Sequence, residues 1–80
     1  MNEVPRQIRI QLLQQELQGW INTRFVWQSR YRARKHTDNK GAIKEAENAL
    51  EECEIQIAEF EAMLKEVEAE AQPAPQSGAQ

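Results

Sequence analysis

Through the second half of this chain, apolar residues recur at alternating spacings of three and four: Ile43, Ala46, Leu50, Cys53, Ile57, Phe60, Leu64, Val67 and Ala71. This period marks one apolar seam along an α-helix that packs against another helix, with Ile43 at heptad position a. Every e position is a glutamate (Glu47, Glu54, Glu61 and Glu68), and neither Gly nor Pro interrupts residues 42–71. The pattern predicts an unbroken helix over about 42–71, roughly 45 Å long.

A second seam precedes it, again at spacings of three and four: Ile10, Leu13, Leu17, Trp20, Arg24, Trp27, Tyr31 and Arg34. It predicts a helix over about 4–36, with Pro5 in the first turn and Asn2 as a candidate cap. Between the seams, HTDNKG (36–41) is rich in turn and capping residues, and Asp38 or Asn39 is placed to cap the second helix. One continuous helix is disfavoured by phase. Arg34 and Ile43 are nine residues apart, whereas an unbroken seam needs seven, ten or eleven.

Folding back between Asp38 and Asn39 opposes residues whose numbers sum to 77, and the seams obey that rule. Ile10 meets Val67, Leu13 meets Leu64, Leu17 meets Phe60, Trp20 meets Ile57, Arg24 meets Cys53, Trp27 meets Leu50 and Tyr31 meets Ala46. Each pair sets an a position against a d position, and large residues tend to meet small ones. At the flanks, Arg9 approaches Glu70 and Lys35 approaches Glu47. The predicted fold is an all-α, antiparallel two-helix coiled-coil hairpin spanning residues 1–71, with its turn at about 37–41. The tail at 72–80, with Pro, Gly and Ser and no apolar pattern, is expected to be disordered.

One seam between two helices is a thin core, and apolar residues remain off it. Ile8, Leu12 and Val26 fall on the far side of the first helix together with Gly19, while Ile21 and Phe25 extend the seam to one side. On the second helix Ile55, Ala58, Ala62 and Ala69 are left over, and Met63 flanks the seam. Scattered surface apolars are ordinary. A mid-helix glycine costs about 1 kcal/mol relative to Ala, however, and suggests close approach by another backbone. Ile8, Leu12, Gly19, Val26 and Ile55 are therefore the candidate residues of a second surface, used for self-association or for docking on a protein partner.

Charge divides the chain in two. Residues 1–44 carry nine Lys/Arg against three acids, and residues 45–80 carry ten glutamates against Lys65. Opposite halves favour folding against each other or against copies of the chain. The single cysteine precludes an internal disulfide, and an intracellular, cytoplasmic setting is expected. No apolar run approaches the roughly 18 residues that a membrane span needs.

No catalytic or metal-ligating constellation emerges, and no cofactor or small-molecule substrate is expected. His36 and Asp38 belong to the turn region, and Cys53 sits at a d position where a small thiol packs as a hydrophobe. The glutamates of the c and e columns form a solvated face. Arg24 stands out, because a polar residue at a seam position specifies register or oligomer state at some cost in stability. Its guanidinium is expected to reach Glu54. Around the turn, Arg30, Arg32, Lys35, Lys40 and Lys44 form a basic tip, a candidate contact for nucleic acid. Against that use, the nearby aromatics are already committed to the seam and are poor platforms for base stacking. The expected function is a non-enzymatic interaction or assembly module, with nucleic-acid contact through the tip as the alternative. In shape the chain looks like helical hairpins found in many unrelated assemblies, and no motif narrows it to one family.

Overall fold

The computed structural model of the chain describes residues 3–70. They form two long helices and no strand: α1 (Arg6–Arg34) and α2 (Lys40–Ala69), folded back on each other as an antiparallel hairpin. The predicted tail, the seam position at Ala71 and the capping role for Asn2 lie outside the described residues.

Local chemistry explains where each helix starts and stops. Pro5, with φ −57° and ψ 149°, stands just outside α1, and its carbonyl accepts the Arg9 amide at 2.9 Å. Val4, preceding a proline, is biased away from helical backbone, so α1 begins at Arg6 rather than at residue 4. At the other end, the carbonyl of Arg34 accepts both the amide (2.9 Å) and the hydroxyl (2.6 Å) of Thr37, which terminates the ladder two residues before the expected 36. The Asn39 side chain then accepts the Ala42 amide at 3.0 Å and caps α2. Lys40 and Gly41 are thus already helical, and the turn between the helices, residues 35–39, lies two residues earlier than the predicted one.

The core is the seam. Ala46, Cys53, Ile57, Leu64 and Val67 of α2 are buried, whereas α1 has no buried residue. The α1 seam residues Ile10, Leu13, Leu17, Trp20, Arg24, Trp27, Tyr31 and Arg34 are all half-buried. Large side chains of α1 therefore lie over smaller ones of α2, and their outer edges stay in water. Ile21 is half-buried beside the seam as expected, but Phe25 is 69% exposed and does not extend it. Phe25 lies one position past Arg24, about 100° around the helix, which is enough to swing its ring clear of α2.

Arginines of α1 pin the register at both ends and at the centre. Arg9 makes a two-pronged contact with Glu70, at 2.6 and 2.8 Å, as expected. Beside it, Arg6 donates to the carbonyls of Val67 (3.0 Å) and Glu68 (3.1 Å), which belong to the last turn of α2. That turn carries no basic residue of its own, so Arg6 adds a cap there: the Val67 carbonyl also accepts the Glu70 amide at 3.2 Å, and Glu68 lies among the last carbonyls of the helix. At the tip, Arg34 donates to Glu45 (2.9 Å) and to the Ala42 carbonyl (3.0 Å). This pair takes the place of the expected Lys35–Glu47 contact. Lys35 is the residue on which α1 ends, and its exposed side chain makes no ion pair among the described residues.

With one thin seam, single truncations should be felt strongly. Ile57→Ala is expected to lower stability by about 2–3 kcal/mol, read as a fall in the urea midpoint at unchanged slope. A change below about 0.5 kcal/mol would mean that the seam is not what holds the helices together.

Candidate functional site

Away from α2, the exposed surface of α1 carries a continuous uncharged strip. Pro5, Leu12, Gly19, Val26 and Ala33 follow at seven-residue intervals, and Ile8, Gln15, Asn22 and Ser29 run beside them at the same interval. Seven residues make almost two turns, so each set forms a column along the helix. Leu12 is 50% exposed, Val26 43% and Ile8 42%. The polar members are partly satisfied within α1: the Ser29 hydroxyl donates to the Phe25 carbonyl at 3.0 Å, and Gln18 donates to Asn22 at 2.9 Å.

Gly19 sits at the middle of this strip, and a methyl group placed on it would meet nothing within 4 Å. Nothing inside the hairpin requires a glycine there. Its missing side chain opens a depression of about 360 Å³ lined by Gln15, Glu16, Gly19, Trp20 and Thr23. Glu16, Gly19, Trp20 and Thr23 are spaced as i, i+3, i+4 and i+7, the four corners of a hole that accepts a side chain from a facing helix.

Four of the five candidate docking residues, Ile8, Leu12, Gly19 and Val26, thus share one surface of α1. The fifth, Ile55, does not join them. It is 52% exposed and lies two residues from both Cys53 and Ile57, which face α1, so it projects from the outer side of α2. Phe25 is the most exposed large apolar residue among those described and was missed as a surface candidate, because its position beside Arg24 reads as a seam flank.

Arg24 is half-buried within the seam, and its guanidinium lies 3.4 Å from the Glu54 carboxylate. The cations that stack on Trp27 are instead Arg30, 4.7 Å from the ring centroid, and Arg34, at 5.5 Å. Three and seven residues on from Trp27, both share its face of the helix, a spacing legible in the sequence. Of the basic tip, Arg30 is therefore engaged with an aromatic ring. Arg32, Lys35, Lys40 and Lys44 are exposed and form no ion pair among the described residues.

Titration is perturbed at two places. The hydrogen bond from Arg9 holds the Glu70 carboxyl below its ordinary range, and the same bond raises Arg9. Burial pushes the Cys53 thiol up, reinforced by the nearby carboxylate of Glu54, which suits a packing role better than a nucleophilic one. Among the described residues no group of three or more His, Cys, Asp or Glu side chains is placed to hold a metal ion. No helix is long and apolar enough to cross a membrane. Compared with protein-family models, curated proteins and solved structures, the chain matches none.

Replacing the one charged group in the seam's centre gives a direct test of its role. Arg24→Leu is expected to stabilise the hairpin by about 1 kcal/mol, a rise of roughly 4–8 °C in melting temperature. A variant that melts below the parent would show that the Arg24–Glu54 contact contributes net stability.

Proposed function

We propose that the chain is a non-enzymatic assembly module, a rigid helical hairpin that associates with protein through the outer face of α1. The observation that carries this reading is the uncharged strip around Gly19. A soluble helix exposing its back to water ordinarily carries charged residues there, as α2 does with the glutamates of its c column. The α1 strip holds no charge from Ile8 to Ala33 along its two columns, so covering those columns desolvates no ion, and Glu16 stands only at the edge of the Gly19 depression. A cytoplasmic setting, where the Cys53 thiol stays reduced, belongs to the same reading.

The tip supports a second reading. Four exposed cations around one turn (Arg32, Lys35, Lys40 and Lys44) are available to phosphates, and a helical tip can enter a groove. It is the weaker reading, because Arg34 is held by Glu45, Trp27 is covered by Arg30 and Arg34, and α2 is acidic beyond the turn.

Size measurements separate these cases. In native extract the chain should elute well above the mass of one chain, and Leu12→Arg with Val26→Arg should return it to one-chain mass with helicity unchanged by circular dichroism. Elution of the parent at one-chain mass, both purified and in extract, would remove the assembly reading. For the tip, RNA and duplex DNA are titrated from about 50 to 200 mM salt. No binding at the low end rejects nucleic-acid contact, whereas tight binding lost on neutralising Arg32, Lys35, Lys40 and Lys44 would favour it over assembly.

A further inference from the structure

The column Pro5, Leu12, Gly19, Val26 and Ala33 is symmetric about its centre in both spacing and character. Turned end over end about Gly19, it superposes on itself. Leu12 falls on Val26, Pro5 on Ala33, and Gly19 on Gly19. Such self-complementarity is what an isologous two-fold interface requires, because each patch must face an identical patch running the other way. Resting on the docking reading above, we infer that the occupant of the α1 face is a second copy of this chain, packed antiparallel with Gly19 at the two-fold axis.

Two further observations converge on that arrangement. The backbone of α1 at Gly19 is bare on its outer side, with open space where a side chain would stand. At a two-fold axis the two helices come closest, and there a side chain on either would meet its own copy. Leu12 and Val26 are each left about half exposed by the hairpin, and the symmetry supplies each with the other as cover.

Charge selects the direction. The tip half of the hairpin, residues 20–57, carries seven Lys/Arg against six Asp/Glu, whereas the described open half, residues 3–18 and 59–70, carries three against seven. Antiparallel packing sets each tip beside the acidic open half of the other copy. Arg30 of one copy comes level with Ile8 of the other, near the end marked by Glu66, Glu68 and Glu70. A parallel pair would instead set two acidic halves side by side, which long-range repulsion disfavours. Two hairpins joined this way make a four-helix assembly with α1 of each copy at the centre and the acidic α2 helices outside.

Cross-linking reads both partner and direction. In a Cys53→Ala background, which keeps a small side chain in the seam, the full chain is made with Leu12→Cys or with Val26→Cys. The two variants oxidised as a mixture are expected to form a disulfide-linked pair, and neither should do so alone. Self-linking of either variant by itself would overturn the antiparallel arrangement. One-chain mass for the purified parent by sedimentation, without cross-linking, would overturn the second copy as occupant. The docking reading would survive that result if the complex in extract persists and remains sensitive to Leu12→Arg with Val26→Arg. As a second arm, Gly19→Arg should weaken the dimer by at least about 30-fold while helicity holds, since the position is open in the single hairpin. An unchanged dimer in that variant would also overturn the inference.

Discussion

Everything in this molecule depends on one seam. Two helices with no third layer can bury only the stripe they share, and the chain divides the work unequally. The α2 helix supplies the residues that disappear from solvent, Ala46, Cys53, Ile57, Leu64 and Val67, while α1 supplies broad side chains that cover them and stay half wet. This division explains why α1 has no buried residue and yet cannot be peeled away without exposing the whole core. It also explains why cations line the seam, since the outer edges of Trp20, Trp27 and Tyr31 lie where the long stems of arginine can pack.

The polar contacts then fix what the apolar stripe leaves loose. A heptad pattern permits slippage by whole turns, and the arginines of α1 remove that freedom. Arg6 and Arg9 hold the end of α2, Arg24 meets Glu54 near the middle, and Arg34 holds the first two turns of α2 through Ala42 and Glu45. As exposed ion pairs these add little individually. The Arg6 contacts differ in kind, because their acceptors are backbone carbonyls in the last turn of a helix.

Periodicity carried most of the fold into view. Alternating spacings of three and four do not depend on tertiary context, and the phase break between Arg34 and Ile43 was enough to require a turn. The opposed-residue rule anticipated Arg9 with Glu70, and Arg24 next to Glu54 followed from the same register. What escaped was whatever depended on a helix ending one or two residues earlier or later. Arg34 took the contact expected of Lys35 because α1 stops between them, and Arg6 reached α2 carbonyls whose availability depends on where α2 ends. Phe25 escaped for an angular reason, since one step past Arg24 is a flank on paper and open water on the helix. On the candidate surface, Ile8, Leu12, Gly19 and Val26 were legible as the far side of α1, but separating Ile55 from them needed the second helix in place.

The open end of the hairpin has a mechanical consequence. The start of α1 and the end of α2 lie side by side at one pole, joined by Arg6 and Arg9, so flanking chain at either terminus leaves from the same place. Tension applied there pulls the helices apart crosswise, one layer at a time, rather than sliding them along their length. Rupture in that geometry begins at the arginine clasp and travels toward the tip, with each seam layer resisting alone. A hairpin held only at its ends is therefore a weak link under load, and pressing its α1 face against another surface is the means by which it would become a strong one.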